Sequence, residues 1–404
     1  MKKYLLNYAE KDINQINLSN IYDEVIVIPI KNEYNDIIDL INNLSKLSLK
    51  INLLVILIIN SNEYSETNNK FIEYLELQTN SKINNRKYSY VYYQNMNLLI
   101  VNYSYENNYF SSKYGVGLAR KIGCDIALKL YFEGKIKSNF IRCTDADVIL
   151  NENYFNITPN SSYSIINYPF YHVVNDNSIF SKALILYEIY LRYYYLGLKY
   201  SNSKYSFWTI GSCFAINFNA YSKVRGFPKD RKAGEDFYMI NKLSKVGKVF
   251  IPQNSIVKIK CRESNRVPFG TGISTKKIYE IIVNNQEYKI YNPIVFDYLK
   301  EFIYLLDIFS NTKDFDVFSK NRLIYEFISN YKSKINNIIS NSKNLNLINN
   351  FFDSFMQLKF IHYLSDTYKP INWLDALKKS KFIENIDNED IYYIRDFLFQ
   401  KSLS

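Results

Sequence analysis

Short, unbroken runs of β-branched and leucine residues, each closed by polar residues, constrain this chain most. Val25-Ile26-Val27-Ile28-Pro29 is the first such run. Leu53 to Ile59 is the second, ending at Asn60-Ser61-Asn62, and Phe140-Ile141-Arg142-Cys143-Thr144 follows further along. Runs this short without polar alternation read as strands buried on both faces. Between the first two, Ile37, Leu40, Ile41, Leu44 and Leu47 recur at helical spacing,. Strands alternating with helices predict an α/β fold with a mostly parallel sheet, and such sheets bind ligands beyond the C-terminal ends of their strands. Lys31 to Glu33, Asn60 to Asn62 and Asp145 to Asp147 all fall at such ends.

The rest of the chain fills in this plan. A Tyr-rich strand is expected near Tyr90 to Tyr93. Tyr114-Gly115-Val116-Gly117 opens a helix with Leu118, Ile122, Ile126 and Leu130 on one face, stopped by Gly134,. Ala183 to Tyr200 reads as an aromatic helix. Phe237, Ile240, Leu243 and Val246 form another helical stripe, ended by Gly247 and followed by a strand over Val249 to Pro252. Beyond about Thr275 glycines become rare and helix-period apolar residues dominate, so a boundary is set there. The expected organisation is a polar lead-in over 1–20, an α/β domain over 21–275 and an α-helical region over 276–404. Asn336 to Asn350 reads as a polar connection.

Composition narrows the classes. No apolar run in the 404 residues approaches the ~20 needed to span a bilayer. The start, Met1-Lys2-Lys3-Tyr4-Leu5-Leu6-Asn7, lacks the apolar stretch of a signal peptide, so a cytoplasmic protein is expected. Cys124, Cys143, Cys213 and Cys261 are scattered and read as reduced thiols. The net charge of +11 fits an anionic partner. Lysines and arginines are nevertheless dispersed apart from Lys223 to Lys232, which argues against nucleic acid.

Two acidic motifs carry chemistry. Asp145-Ala146-Asp147 follows a buried strand, where two carboxylates one residue apart can hold a divalent cation against a diphosphate. Capping of the turn before Asn151 is the structural alternative. Asp314-Phe315-Asp316 and Asp387-Asn388-Glu389 share the acidic spacing but follow no strand-like run. Gly234-Glu235-Asp236-Phe237 is the second motif. Its acids suit a helix N-terminus and, with a substrate hydroxyl in reach, general-base work. Glu389-Asp390 repeats the dipeptide without a preceding glycine.

Taken in order, these segments resemble a family 2 glycosyltransferase of the GT-A fold, from about Tyr22 to Gly247. Val27 to Glu33 is similar to the opening strand and loop under the nucleotide base. Ile58 to Asn62 stands where the family usually has an aspartate, and Asn60 in its place leaves the base open between uracil, guanine and others. Gly117 to Gly123 is similar to the family's helix bearing an arginine, here Arg120. Asp145-Ala146-Asp147 resembles the metal motif. Gly211 to Ile216, Val224 to Pro228 and Gly234-Glu235-Asp236 resemble the acceptor-side segment with its acid pair.

The resemblance implies a GT-A, Rossmann-like, mostly parallel sheet flanked by helices, with an α-helical C-terminal extension. It implies an inverting, metal-dependent transferase that moves one sugar from a nucleotide-diphosphate sugar to a glycan or lipid-linked acceptor, as in polysaccharide biosynthesis. Asp236 would be the base and Glu235 would orient it or the acceptor. Asp147, with Asp145, would hold Mg²⁺ or Mn²⁺, and Asp145 could instead face the ribose. Pro29, Lys31, Glu33, Asn60, Arg120 and Asp145 would line the nucleotide-sugar site. Arg262 and Arg266, in the segment Arg262 to Gly272, would form a flap over the diphosphate, unless that segment is an ordinary Gly/Pro turn.

Arg120 could instead pair with an aspartate of the acidic motif. Trp208 would stack on an acceptor sugar or pack in the core. Basic, Tyr-rich helices would touch a membrane surface. No Q-x-x-R-W is present: neither Trp208 nor Trp373 follows an arginine, which favours single additions over polymerisation. The competing class is a non-catalytic protein that binds a glycan or nucleotide sugar on a degenerate transferase scaffold; intact Asp147 and Asp236 argue against it.

Overall fold

In the computed structural model, which describes residues 1–174, 176–231, 233–261, 271–341, 346–384 and 386–404, the chain divides into two units. The first comprises Met1–Val174 and Trp208–Ile273, the second Asn175–Phe207 and Ser274–Ser404. The second unit therefore takes in residues 175–207, which the sequence pattern had grouped with the α/β region.

The first unit is built on the apolar runs. Its strands are β1 (Glu24–Ile30), β2 (Leu53–Asn60), β3 (Tyr88–Tyr93), β4 (Met96–Tyr103), β5 (Phe140–Cys143), β6 (Val148–Leu150), β7 (Tyr163–Asn167), β8 (Phe170–Val173), β9 (Phe214–Asn217), β10 (Lys248–Phe250) and β11 (Val257–Lys260). Eight of them form one sheet in the order β10-β7-β9-β5-β1-β2-β4-β3. The central strands β5, β1, β2 and β4 run parallel, and the outer ones add antiparallel pairs. The α/β, mostly parallel architecture expected from the buried runs is what is found. Every residue of β1, β2 and β4 is buried. β4 was not anticipated; it returns from the Tyr-rich β3 through a tight turn with Gln94 in the left-handed region.

β1 does not stop at Pro29. It continues to Ile30, with Pro29 opposite Ile58 of β2. Thr144 donates its N–H to the Val27 carbonyl, so Val27 and, two residues on, Pro29 turn their amide edges toward β5. β5 leaves the sheet at Cys143, and the missing N–H of Pro29 therefore faces a place with no strand to receive it. Because β1 has β2 on one side and β5 on the other, the chain order reverses between β1 and β5. This is where a crevice opens at the C-terminal edge of an α/β sheet.

Helices α1 (Lys2–Asn7), α2 (Tyr34–Leu47), α3 (Glu66–Thr79), α4 (Val116–Phe132), α6 (Phe218–Lys223) and α7 (Glu235–Leu243) belong to this unit. α4 lies within the span read from its glycines, with Gly134 in the left-handed region just after it. The lead-in is not idle: Tyr4, Ile13, Ile16 and Leu18 are buried, each as a single apolar anchor that no periodicity would reveal. In α7 only part of the expected stripe is inside. Met239, Ile240 and Leu243 are buried, Phe237 is half-buried and Val246 is exposed.

The second unit contains α5 (Ile179–Tyr200), α9 (Ile294–Thr312), α10 (Arg322–Ser329), α11 (Lys332–Asn341), α12 (Asn346–Phe351), α13 (Ser354–Thr367), α14 (Trp373–Lys379) and α15 (Ile391–Leu403), together with most of α8 (Thr271–Val283). β12 (Lys289–Ile290) and β13 (Ile371–Asn372) form a short ribbon. In α5, Arg192 and Glu188 pair at 2.5 Å with both side chains fully buried. Much of the aromatic α5 is interior, with Tyr193 and Tyr195 buried. The stretch 336–350 was expected to be a connection, but α11 and α12 account for its described part. Ile335 and Ile348 supply the buried anchors.

Candidate active site

Two backbone hydrogen bonds and one from a side-chain hydroxyl fix the Asp145-Ala146-Asp147 turn. Thr144 N–H donates to Val27 and the Lys260 N–H donates to the Asp147 carbonyl at 2.8 Å. The Thr144 hydroxyl donates to the Ser212 carbonyl at 3.1 Å. Ala146 is wholly buried, which pins the middle of the turn. The carboxylates on either side differ: the Asp145 side chain is 30% exposed, whereas Asp147 is buried.

Arg120 joins this turn to the acid pair. It projects from the first turns of α4 and is itself buried. Its Nη2 donates to Asp145 Oδ1 at 2.5 Å, and its Nη1 donates to Glu235. Burial alone would disfavour the guanidinium charge, but Asp145, Glu235 and Asp236 together outweigh it and hold Arg120 firmly protonated,. Two glycines make the arrangement possible. A Cβ on Gly211 would lie 2.5 Å from Arg120 Nη2, so only glycine leaves space for the guanidinium. A Cβ on Gly117 would meet the backbone carbonyl oxygens of Arg231 and Pro228 at 2.6 and 2.7 Å. The turn before the acid pair thus rests directly on the start of α4.

Glu235 and Asp236 form the first turn of α7, after Gly234 at φ +71°, where the helix N-terminus favours negative charge. Glu235 is buried against Arg120. Asp236 is half-buried by area and accepts the Phe237 N–H at 2.7 Å. Its surroundings nevertheless push its pKa up to about 7. Burial is the main cause and the neighbouring Glu235 the next, with Arg120 pulling the other way. A carboxyl poised near neutrality is suited to take up a proton.

A second group lies at the ends of β1 and β2. Lys31 Nζ donates to Asn62 Oδ1 at 3.0 Å, and the Lys31 N–H donates to the buried Glu33 at 3.2 Å. Asn60 is also buried, and its amide donates to the Ile30 and Ile58 carbonyls. That donor clamps the strand ends. Asn32, at φ +59°, is held by Asn68 and Ser65, while Asn62 donates to the Phe110 and Ser111 carbonyls of the loop before α4.

Arg120, Asp145, Glu235 and Asp236 are thus gathered in one place, with Asp147 two residues after Asp145. Lys31, Glu33 and Asn60 stand at the neighbouring strand ends, and Pro29 is inside β1. Arg262 and Arg266 lie outside the described residues. Trp208 is core: it is buried edge-on to Phe170, and Asn167 brackets its backbone N–H and carbonyl. Asn62 lies in the Asn60 to Asn62 segment singled out from the sequence; Asn68, whose side chain holds Asn32, was missed, because a lone asparagine carries no pattern.

Among the described residues no group of three His, Cys, Asp or Glu side chains could enclose a metal ion. Two hard carboxylates still suit Mg²⁺ or Mn²⁺, which commonly take one or two protein carboxylates and complete their shells with phosphate and water. An ion held by these two would complete its shell with ligand oxygens and water.

No family model matches the chain, and no curated protein matches it in sequence. Solved structures similar to it include a mannosyltransferase from Pyrobaculum calidifontis in complex with GDP-Man and Mn²⁺, at 12% identity and a TM-score of 0.35, covering 66% of each chain. Another is glucosyl-3-phosphoglycerate synthase from Mycobacterium tuberculosis in complex with Mn²⁺, UDP and glucosyl-3-phosphoglycerate. It is 10% identical with a TM-score of 0.32, over 67% of this chain and 84% of that one. GalNAc-T7 with UDP, GalNAc and Mn²⁺ is similar at 12% identity and a TM-score of 0.37, over 90% of this chain and 61% of that one. The chain thus spans under two thirds of the length of GalNAc-T7 and 66% of that of the mannosyltransferase.

Proposed function

We propose that this protein is an inverting, metal-dependent glycosyltransferase that moves one sugar from a nucleotide-diphosphate sugar to a hydroxyl of a glycan or lipid-linked acceptor. One observation carries the reading: buried Arg120 ties the acidic turn after β5 to the acid pair at the head of α7, some 90 residues later. Asp147, with Asp145, would hold Mg²⁺ or Mn²⁺, which as a Lewis acid offsets charge on a departing diphosphate. Asp236 accepts the proton of the acceptor hydroxyl as its oxygen attacks the anomeric carbon. The new C–O bond forms on the face opposite the diphosphate as the old one breaks, so the configuration inverts. Glu235, fixed by Arg120, keeps Asp236 in a field that favours proton uptake near neutrality. The strand-end group of Lys31, Glu33 and Asn60 faces the nucleotide.

Thermal-shift measurement with UDP-, GDP- and TDP-sugars, each with and without Mn²⁺, tests the binding half of this reading. Stabilisation by one nucleotide class that chelation or Asp147→Ala removes is expected. A folded protein that no donor stabilises would overturn it in favour of a degenerate scaffold.

A further inference from the structure

The catalytic reading leaves unused the cationic surface where α7 ends. Lys223, Arg225, Lys229 and Lys242 are exposed there, and Lys245 is half-buried. They come from separate segments, yet they share one region. Arg225, in the left-handed region at φ +65°, lies over the Tyr8 ring at 5.0 Å from its centroid. Lys229 reaches Glu10 at 3.6 Å. Burial lowers the Lys242 pKa, and so do the nearby charges of Arg225 and Lys245. Cations crowd one another here at a cost to the protein alone, a cost that an anionic partner removes.

The first helix belongs to the same surface. The Tyr4 hydroxyl sits 3.4 Å from the Tyr221 hydroxyl, and Lys121 Nζ donates to both the Tyr4 hydroxyl and the Tyr8 carbonyl. α1 is therefore fastened beside the 221–229 turn, with Lys2 and Lys3 exposed. Leu6 is 75% exposed on it, and Val246 is 42% exposed just past α7. The acids in these segments are Glu10, which faces Lys229 and Lys121, and the exposed Asp230.

We infer that this face, formed by α1, the 223–229 turn and the C-terminal end of α7, docks on an anionic phospholipid bilayer. Spread surface cations with exposed apolar side chains among them match a charged, greasy plane. A discrete phosphate pocket would instead need converging buried donors. The docking does not depend on the transferase reading, since it needs no donor sugar, and transfer by Asp236 could succeed or fail separately.

Co-sedimentation of the full chain with phosphatidylcholine vesicles, with and without phosphatidylglycerol, tests it. Binding is expected only with phosphatidylglycerol and is expected to weaken with salt. Lys242→Glu/Lys245→Glu should lower the partition coefficient roughly tenfold or more, and Lys2→Glu/Lys3→Glu should lower it as well. Lys276→Glu/Lys277→Glu, the same charge change on exposed residues of α8, should have little effect. Failure of the wild-type chain to bind, or equal losses from all three variants, would overturn the assignment. So would release by millimolar inorganic phosphate at matched ionic strength, or displacement by a single-stranded RNA oligomer.

Discussion

Two buried arginines of the first unit, Arg142 and Arg120, show how alike a closed structural ion pair and the ion pair of the proposed site can look. Arg142, in β5, is fully enclosed. It donates to both oxygens of Glu24, to the Tyr168 hydroxyl and to the Phe155 and Ile157 carbonyls. Its partner Glu24 is buried too. Arg120 also binds two carboxylates, but its Nε has no acceptor among the described residues and its partner Asp145 is partly exposed. One network is closed and saturated. The other is unsaturated, opens to solvent and has a third carboxyl, Asp236, beside it. Desolvation is costly in both, but the second has a partly exposed carboxylate, Asp145, where a ligand could arrive,.

The largest expected effect lies in the open network. Asp236→Asn should retain donor binding and lose transfer by about 10²- to 10⁴-fold, the range for a general base; turnover near the wild-type rate would sink the base assignment. In the closed network the damage should fall on stability. Arg142→Ala would strand Glu24 in the interior and should cost about 3–5 kcal/mol of unfolding free energy, read by urea denaturation. A small loss there would mean that the two networks differ less than their geometry suggests.

The pH dependence sharpens the same contrast. As the proposed base, Asp236 would have to be ionised to act, so on that reading kcat/KM should rise with pH and level off above about 7. Stability should move the other way. The folded carboxyl titrates above its unfolded value, so its neutral form is tolerated at pH below about 4 and stability is lost as pH climbs from there through 7. Asp236→Asn should accordingly raise the melting temperature at pH 8 and do so less at pH 4. A flat difference across that range would contradict the raised pKa.

The smallest effect is expected where the dipeptide recurs without its surroundings. Glu389 pairs with exposed Lys378 at 2.5 Å, and Asp390 caps α15 through the Tyr392 and Tyr393 N–H groups. Glu389→Gln should change stability by no more than about 0.5 kcal/mol and leave transfer unaltered. Asp314 is likewise a cap, accepting the Asp316 N–H. These acidic pairs share the spacing of the site and differ from it in burial and in partners.

By itself the sequence determined the central strands β1, β2 and β5 and which acidic residues follow them. Continuous apolar runs must be buried on both faces, which dictated β1, β2 and β5, and the same runs deliver Asp145 and Asp147 to the sheet edge. The glycines around α4 were legible for the same local reason. Tertiary structure alone decided what Arg120 touches, since Glu235 is 115 residues away and no periodicity reports a partner at that distance. It alone decided that α5 joins the C-terminal helices, because an aromatic helix can bury its face against any apolar neighbour. It also decided that Gly211 must be small, since the guanidinium it makes space for comes from another element. Local pattern is written by short-range sterics and burial; the electrostatics of a site depend on distances that only the folded chain sets.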